Sequence, residues 1–221
     1  MFILAQGSQL ENSENKIYRV RAEELEKRYL NAGYQRRERS YKIKYQRKEY
    51  TVICLEFRYD KNDDEPIVII PEFLIPGRPY PVFIYLYAID LYSRSPEKGQ
   101  RWAAGETRKH FRLDTFAHTT LGRALKVFVN NIEQGAKASE NPLNETSGHD
   151  MEKSEMQKEN AGQNDIVKSP GFPTVRTTEA LRKQVAQFLR GVAVQAVGQQ
   201  AIEIYCGLVR RWFNEYHRLL L

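Results

Sequence analysis

Apolar residues recur with two different spacings along the chain, and these spacings predict where strands and helices lie. Residues 41–45 alternate between aromatic or aliphatic residues and lysine, which is typical of a strand. Residues 51–59 and 67–70 are rich in β-branched and aromatic residues, and an acidic turn over 60–65 would join them as a hairpin. The pattern predicts a small antiparallel sheet over residues 40–70.

Helical spacing dominates the second half of the chain. Residues 82–92 are apolar nearly all round, which predicts a buried helix starting after Pro81, with a strand as the alternative. The prolines between 71 and 81 predict an extended connection in front of it. Nearer the N-terminus, residues 17–31 have moderate helical character, and Gly33 is suitably placed to follow the helix end.

Two helical patterns lie between residues 100 and 131, separated by a break at 113–116. The second places four apolar residues on one face: Leu121, Leu125, Phe128 and Ile132. Its opposite face is polar and basic: His118, Thr119, Gly122, Arg123, Lys126 and Asn130. A buried stripe behind a basic face favours a helix-turn-helix whose second helix enters the DNA major groove. The alternative is an ordinary amphipathic surface helix, in which Arg123 forms an ion pair with Asp114 or Glu106.

A resemblance supports the helix-turn-helix hypothesis. Residues 106–126, ETRKHFRLDTFAHTTLGRALK, and the junction IPEFLIP at 70–76 resemble an uncharacterised, transposase-associated bacterial family over about residues 58–131. Its members typically have a zinc-ribbon-like N-terminal half, a Leu-Pro-x-Phe-Leu-x-Pro junction and then this helical unit. The resemblance implies a sequence-specific or semi-specific DNA-binding protein of mobile-element type.

The family's Cys-x-x-Cys pair would fall near Asp60 and Asp63, where this chain has no cysteine. Structural zinc sites use cysteine and histidine, so we expect no metal, no other cofactor and a sheet held by core packing. Cys54 and Cys206, far apart in sequence, predict reduced thiols rather than a disulfide framework.

Charge adds a second candidate DNA contact. The chain carries 34 Lys and Arg against 28 Asp and Glu, and residues 34–48 hold seven of these cations with a single Glu among interleaved tyrosines. A basic strand with aromatic neighbours can contact phosphates and stack on bases. The alternative is an edge strand whose charge prevents pairing with other sheets.

The predicted DNA-binding residues form two groups. Arg123 is expected to contact a base edge, Lys126 a phosphate, and the threonines at the helix start to orient the helix. The helix-turn-helix group is Arg108, Lys109, Arg112, His118, Thr119, Thr120, Arg123 and Lys126. The auxiliary basic strand is Arg36, Arg37, Arg39, Lys42, Lys44, Arg47 and Lys48.

Composition divides the chain into four parts. Residues 1–15 are polar and are predicted to be flexible; residues 16–134 form the sheet and the helix-turn-helix. Residues 135–170 contain no aromatic residue and are predicted to be a disordered linker. Residues 171–221 carry two apolar stripes with a bend near Gly191 and Gly198, which predicts a helical hairpin packed on the first domain or self-associating. The predicted fold class is therefore α+β.

Several classes are disfavoured by what the sequence lacks. It has no signal-peptide core and no apolar run long enough for a bilayer, so a cytoplasmic protein with no membrane partner is expected. It also has no Gly-rich phosphate loop, no Gly-x-Ser-x-Gly elbow and no carboxylate spacing that singles out a triad. We therefore predict no catalytic residue and double-stranded DNA as the partner. The alternatives are a non-catalytic interaction or oligomerisation protein and a divergent metal-dependent recombinase or nuclease.

Overall fold

The fold is α+β, as predicted. The computed structural model describes residues 1–5, 16–59, 65–140, 178–189 and 199–221, and within these it has one mixed sheet and six helices. None of the helices in these ranges is both long and apolar enough to cross a membrane.

The sheet is an antiparallel meander to which two short parallel strands are added. The meander consists of β3 (Gln35–Tyr45), β4 (Lys48–Arg58) and β5 (Ile67–Pro71), which confirms the strands predicted over residues 40–70. β1 (Phe2–Ala5) pairs parallel with β5, and β2 (Ile17–Arg19) pairs parallel with β4. The antiparallel pairing predicted over residues 40–70 is confirmed, and the parallel pairs of β1 and β2 were not predicted, because strands of three and four residues are too short to show a period. The prediction that residues 1–15 are flexible was wrong for Phe2–Ala5, and residues 6–15 lie outside the described residues.

The helices follow the predicted order with shifted ends. They are α1 (Glu23–Asn31), α2 (Val82–Arg94), α3 (Gln100–His110), α4 (His118–Glu140), α5 (Thr178–Leu189) and α6 (Gln199–Tyr216). Gly33 follows the end of α1 with a φ of 87°, and its N–H donates to the Leu30 carbonyl at 3.0 Å. α4 extends into the segment predicted to be a linker. The rest of that segment, residues 141–170, lies outside the described residues.

α2 is the centre of the helical layer, and most of its residues are buried on every side, as its sequence predicts. Helices α3, α4, α5 and α6 all pack against it. On the sheet side, Tyr45 meets Phe83 edge-on with ring centroids 5.6 Å apart.

The connection from β5 to α2 is folded rather than extended. The Leu74 N–H donates to the Pro71 carbonyl at 3.0 Å, and the Arg78 N–H donates to the Ile75 carbonyl at 3.1 Å. Gly77, with a φ of 75°, takes the left-handed conformation that this compact path requires. The prediction of an extended connection was wrong because the apolar residues between the prolines turn inward to join the core.

The C-terminal helices pack on the first part of the chain, which was one of the two predicted arrangements. Arg210 of α6 donates from Nη2 and Nε to one oxygen of the buried Glu72, at 2.6 and 2.8 Å. Arg182 of α5 lies 4.1 Å from the Tyr92 ring centroid and donates to the carbonyls of Pro96 and Lys98. Helices α5 and α6 also touch each other where the Phe188 and Trp212 rings meet at 5.7 Å.

Candidate nucleic-acid interface

The predicted phase of α4 is confirmed. Its apolar stripe is buried, with exposures of 0 to 6% for Leu121, Leu125, Phe128 and Ile132. Four residues at helical spacing line the solvent side: Thr119, Arg123, Lys126 and Asn130. His118 and Thr120, at the start of the helix, are half-buried beside this face. The outer face of α4, as we call these four exposed residues, has no carboxylate and two cations.

Neither cation on the outer face of α4 is paired with a carboxylate in the part of the chain that the structure describes. The two partners considered for Arg123 are both engaged elsewhere. Asp114 lies 3.8 Å from Nε of Arg47, and Glu106 lies 2.8 Å from Nζ of Lys109. The hypothesis that Arg123 forms an ion pair with Asp114 or Glu106 was therefore wrong, and its guanidinium stays available to a ligand.

The connection between α3 and α4 is longer than the three or four residues of an ordinary helix-turn-helix. It spans residues 111–117 and is held by the buried side chains of Phe111, Leu113 and Phe116. Arg112 is exposed and has a φ of 51°. Arg108 and Lys109 are exposed in the last turn of α3, so this corner is basic.

The N–H groups of His118 and Thr119, the first two of α4, have no acceptor among the described residues. The N–H groups of Thr120 and Leu121 both donate to the Ala117 carbonyl, at 3.0 and 3.2 Å. An alanine before a helix has no side-chain oxygen to accept from the first N–H groups. The positive end of α4 therefore has no side-chain cap from Ala117 and lies beside the exposed Thr119.

The basic strand is β3, and it lies at an edge of the sheet with only β4 as its partner among the described strands. Strand alternation places Lys42 and Lys44 on one face and Tyr41, Ile43 and Tyr45 on the other, as predicted. Lys44 also uses its backbone N–H, which donates to the Pro79 carbonyl at 2.7 Å. β3 thus also fits the alternative hypothesis, an edge strand whose charged side chains prevent pairing with other sheets.

Several of the seven cations on or near β3 already have acidic partners. Arg36 pairs with Glu26 at 3.1 Å and Lys42 with Glu49 at 3.1 Å. Arg39 pairs with the buried Glu56 at 3.4 Å, and its guanidinium carbon lies 5.7 Å from the Tyr41 ring centroid. Arg37, Lys44 and Lys48 have no carboxylate partner in the described ranges.

The interleaved tyrosines pack inward, which leaves little ring surface for stacking on bases. Tyr50 is only 2% exposed, and Tyr45 meets Phe83 edge-on. Tyr34 is half-buried between Tyr29 and Tyr59, at centroid distances of 5.3 and 5.2 Å. Phosphate contact is therefore the part of the prediction for β3 that the geometry favours.

A tight turn at the tip of the β3–β4 hairpin brings the two predicted basic groups together. Tyr45 pairs with Lys48, so the turn is only Gln46-Arg47, with φ values of 48° and 60°. Positive φ at both central residues is the geometry of a type I′ hairpin turn. The Arg47 guanidinium then reaches Asp114 in the α3–α4 connection, at 3.8 Å.

A surface cavity of about 230 Å³ lies at this meeting point, and we call it the tip cavity. The hairpin contributes Lys44, Tyr45, Arg47, Lys48 and Glu49, and the rest comes from Tyr80, Leu113, Asp114 and Thr115. Tyr80 is buried, and its hydroxyl donates to the Thr115 carbonyl and lies 2.9 Å from the Thr115 hydroxyl. Sequence reasoning missed Tyr80, Asp114 and Thr115, because no local pattern places them beside a hairpin more than thirty residues away.

Aromatic contacts fix the hairpin tip relative to the end of α3. Tyr45 touches Phe83, Phe83 touches Phe111 at 5.8 Å, and Tyr87 touches Phe111 at 5.2 Å. The His110 ring stacks on Tyr87 with centroids 4.6 Å apart and planes 11° apart. The two basic segments are thus joined through α2 and are held in one arrangement.

Within the described ranges, no three or more His, Cys, Asp or Glu residues are grouped so that they could hold a metal ion. Asp60 and Asp63 lie outside those ranges. Comparison of the chain with protein-family models, with curated proteins and with solved structures gave no match.

Proposed function

We propose that this chain binds double-stranded DNA in the cytoplasm as a sequence-specific or semi-specific protein of mobile-element type. The observation that carries the proposal is the meeting of two basic segments that are separate in sequence. The tip of the β3–β4 hairpin contacts the α3–α4 connection, and α4 begins directly after that connection with unpaired cations on its outer face.

Each segment has a distinct role in this proposal. Arg123, one turn into α4, contacts a base edge in the major groove, while Lys126 contacts a backbone phosphate. Thr119 and the free N–H groups of the first turn bind a phosphate and orient the helix. Lys44 and Lys48 at the hairpin tip contact the backbone on the flank, since their cations have no carboxylate partner among the described residues.

Selection of a preferred site from a random duplex pool, followed by two alanine variants, tests these roles. Arg123→Ala should lower discrimination between the selected site and random duplex by about 1–3 kcal/mol. Lys126→Ala should weaken both complexes equally and reduce the dependence of log Kd on log salt by about one phosphate contact. Fluorescence anisotropy at several salt concentrations measures both quantities.

Arg211→Ala, which removes an exposed cation from α6, is the matched control and should change neither quantity. Because Arg123 has no ion pair with a described carboxylate, its removal should alter unfolding free energy by less than about 0.5 kcal/mol. If no site is enriched, or if Arg123→Ala lowers Tm and leaves binding unchanged, the proposal is wrong.

The interaction-protein alternative has less structural support. Its candidate surface was the pair of apolar stripes on the C-terminal helices, and self-association was expected there. Val185, Leu189, Val209 and Trp212 are instead buried in the core of the same chain. A DNA-nicking assay with and without Mg²⁺ tests the recombinase alternative directly.

A further inference from the structure

We propose that the tip cavity binds a phosphate monoester. This inference deepens the proposed function, since the terminal phosphate of a DNA strand is one source of such a group. The cavity would hold that terminal phosphate beside α4, whereas the outer face of α4 would contact base pairs farther from the end of the duplex.

The charges in the cavity match a dianion. Lys44, Arg47 and Lys48 line it, opposed by Glu49 and Asp114. Glu49 is already neutralised by Lys42, which lies outside the lining at 3.1 Å. With Lys42 counted beside the three lining cations, four cations face two carboxylates, which leaves a net charge of about +2. A phosphate monoester carries a charge of about −1.5 to −2 at neutral pH and three acceptor oxygens.

The size of the cavity favours a phosphate group over a larger ligand. A volume of about 230 Å³ is below the roughly 300–1,000 Å³ of sites that enclose drug-sized molecules. Its polar lining offers the cations as donors, because the Tyr80 and Thr115 hydroxyls are already bonded to each other and Tyr80 also donates to the Thr115 carbonyl. The ligand would therefore place its phosphate in the cavity and keep its remaining atoms outside.

Asp114 competes with an anionic ligand for the Arg47 guanidinium. Its Oδ1 atom is 3.8 Å from Arg47 Nε, too far for a hydrogen bond, and both side chains are at least 70% exposed. An arriving phosphate can displace this weak partner and form charge-assisted hydrogen bonds with the guanidinium. Removing the carboxylate should therefore strengthen phosphate binding.

Two measurements on the full chain test the site and distinguish the two sources of phosphate. The first compares anisotropy of one short duplex with a 5′-phosphate and with a 5′-hydroxyl, and the phosphorylated form should bind about tenfold more tightly. The second compares Tm in inorganic phosphate with Tm in chloride of equal ionic strength, and phosphate should raise Tm.

Lys48→Ala and Lys44→Ala should abolish both effects, and Asp114→Asn should enlarge them. Arg37→Ala, which removes an exposed cation from the same hairpin outside the cavity, should weaken duplex binding at most uniformly and leave both effects intact. Circular dichroism of each variant shows whether it is folded.

A Tm response to phosphate without any duplex binding supports the cavity and refutes the proposed DNA function, with free phosphate or a small phosphorylated molecule as the ligand. If the 5′-phosphate and 5′-hydroxyl duplexes bind with equal affinity and phosphate does not change Tm, the cavity proposal is wrong, whereas the proposed DNA function is unaffected. Effects that survive in both lysine variants also overturn it, because the phosphate would then bind elsewhere.

Discussion

Asp90 is a buried carboxyl in the middle of α2, and it is 8% exposed. Arg94 donates to its Oδ1 at 2.7 Å, and the Tyr205 hydroxyl of α6 donates to its Oδ2 at 3.1 Å. Burial nevertheless raises the pKa of the Asp90 carboxyl above its ordinary value, because these two partners only partly offset the loss of hydration. Holding this charge inside the fold therefore costs stability.

The first prediction concerns the pH dependence that follows. A carboxyl whose pKa is higher in the folded than in the unfolded chain adds stability below the unfolded pKa, about 3.9, and loses it as pH rises through the folded pKa. Asp90→Asn keeps an acceptor for Tyr205 and removes the titration. The Tm of the variant minus that of the wild type should therefore rise with pH from about 4 upward.

Thermal unfolding at a series of pH values measures this difference, with Glu106→Gln as a control at a half-exposed carboxyl of α3. If the Tm of the wild type instead rises relative to that of Asp90→Asn as pH increases, the ionised carboxylate stabilises the fold and the prediction is wrong.

Individual residues show which parts of the candidate site could be predicted from the sequence. The exposure of Arg123 and Lys126 could be predicted because the phase of a helix follows from its apolar residues alone. The partner of Asp114 could not, because it depends on a hairpin tip brought close by the packing of Tyr45 and Phe83. Contacts between distant segments have no local signature.

At the scale of elements, the tip of the β3–β4 hairpin is a strained turn. Gln46 and Arg47 both have positive φ, although neither is Gly, Asn or Asp. A left-handed conformation costs most side chains roughly 1–2 kcal/mol, and asparagine tolerates it better because it can hydrogen-bond locally. The turn persists because long pairing between β3 and β4 and the backbone bond from Lys44 to Pro79 hold both strands.

The second prediction follows from this turn. Gln46→Asn should raise the unfolding free energy by about 0.5–1 kcal/mol, whereas Gln46→Val, β-branched at the same site, should lower it. Gln46 does not line the tip cavity and contacts only the Tyr45 hydroxyl of its lining, so both folded variants should keep the proposed phosphate binding. Urea denaturation measures both changes, and equal stability of the two variants would mean that the turn is not strained.

The elements that could be predicted are those whose pattern persists over many residues. The buried helix α2 and the apolar face of α4 follow directly from spacing. The strands β1 and β2 could not be predicted, because each depends on pairing with a distant partner rather than on its own few residues. The folded connection before α2 could not be predicted either, because its prolines indicated an extended chain while the burial of its apolar side chains depends on the rest of the core.

At the scale of the whole molecule, the sheet and the C-terminal helices share one apolar core. A DNA-binding domain and a separate C-terminal segment were predicted, and the contacts of α2 with both α5 and α6 favour joint unfolding of the two. The Glu72–Arg210 and Asp90–Tyr205 pairs link the same parts of the chain. Because these parts share one core, we expect them to unfold in one transition.

The last prediction uses the two cysteines as reporters of that transition. Cys54 lies in β4 and Cys206 in α6, and burial raises the pKa of each thiol to about 12. Since only the thiolate reacts quickly, both should resist a short pulse of a thiol reagent at pH 8 until the chain unfolds. Cys206→Ala leaves a reporter in the sheet, and Cys54→Ala leaves one in the C-terminal helices.

In each variant, the urea midpoint of thiol labelling should equal the midpoint of the circular dichroism signal measured on that same variant. This comparison is needed because each substitution removes a buried side chain and lowers stability by itself. If Cys206 is labelled at a lower urea concentration than the unfolding of the sheet, the C-terminal helices detach first and form a separate unit. Equal midpoints would instead mean that α5 and α6 are part of the domain that presents the outer face of α4. Variants that loosen these helices should then weaken the proposed DNA binding only by lowering the folded fraction.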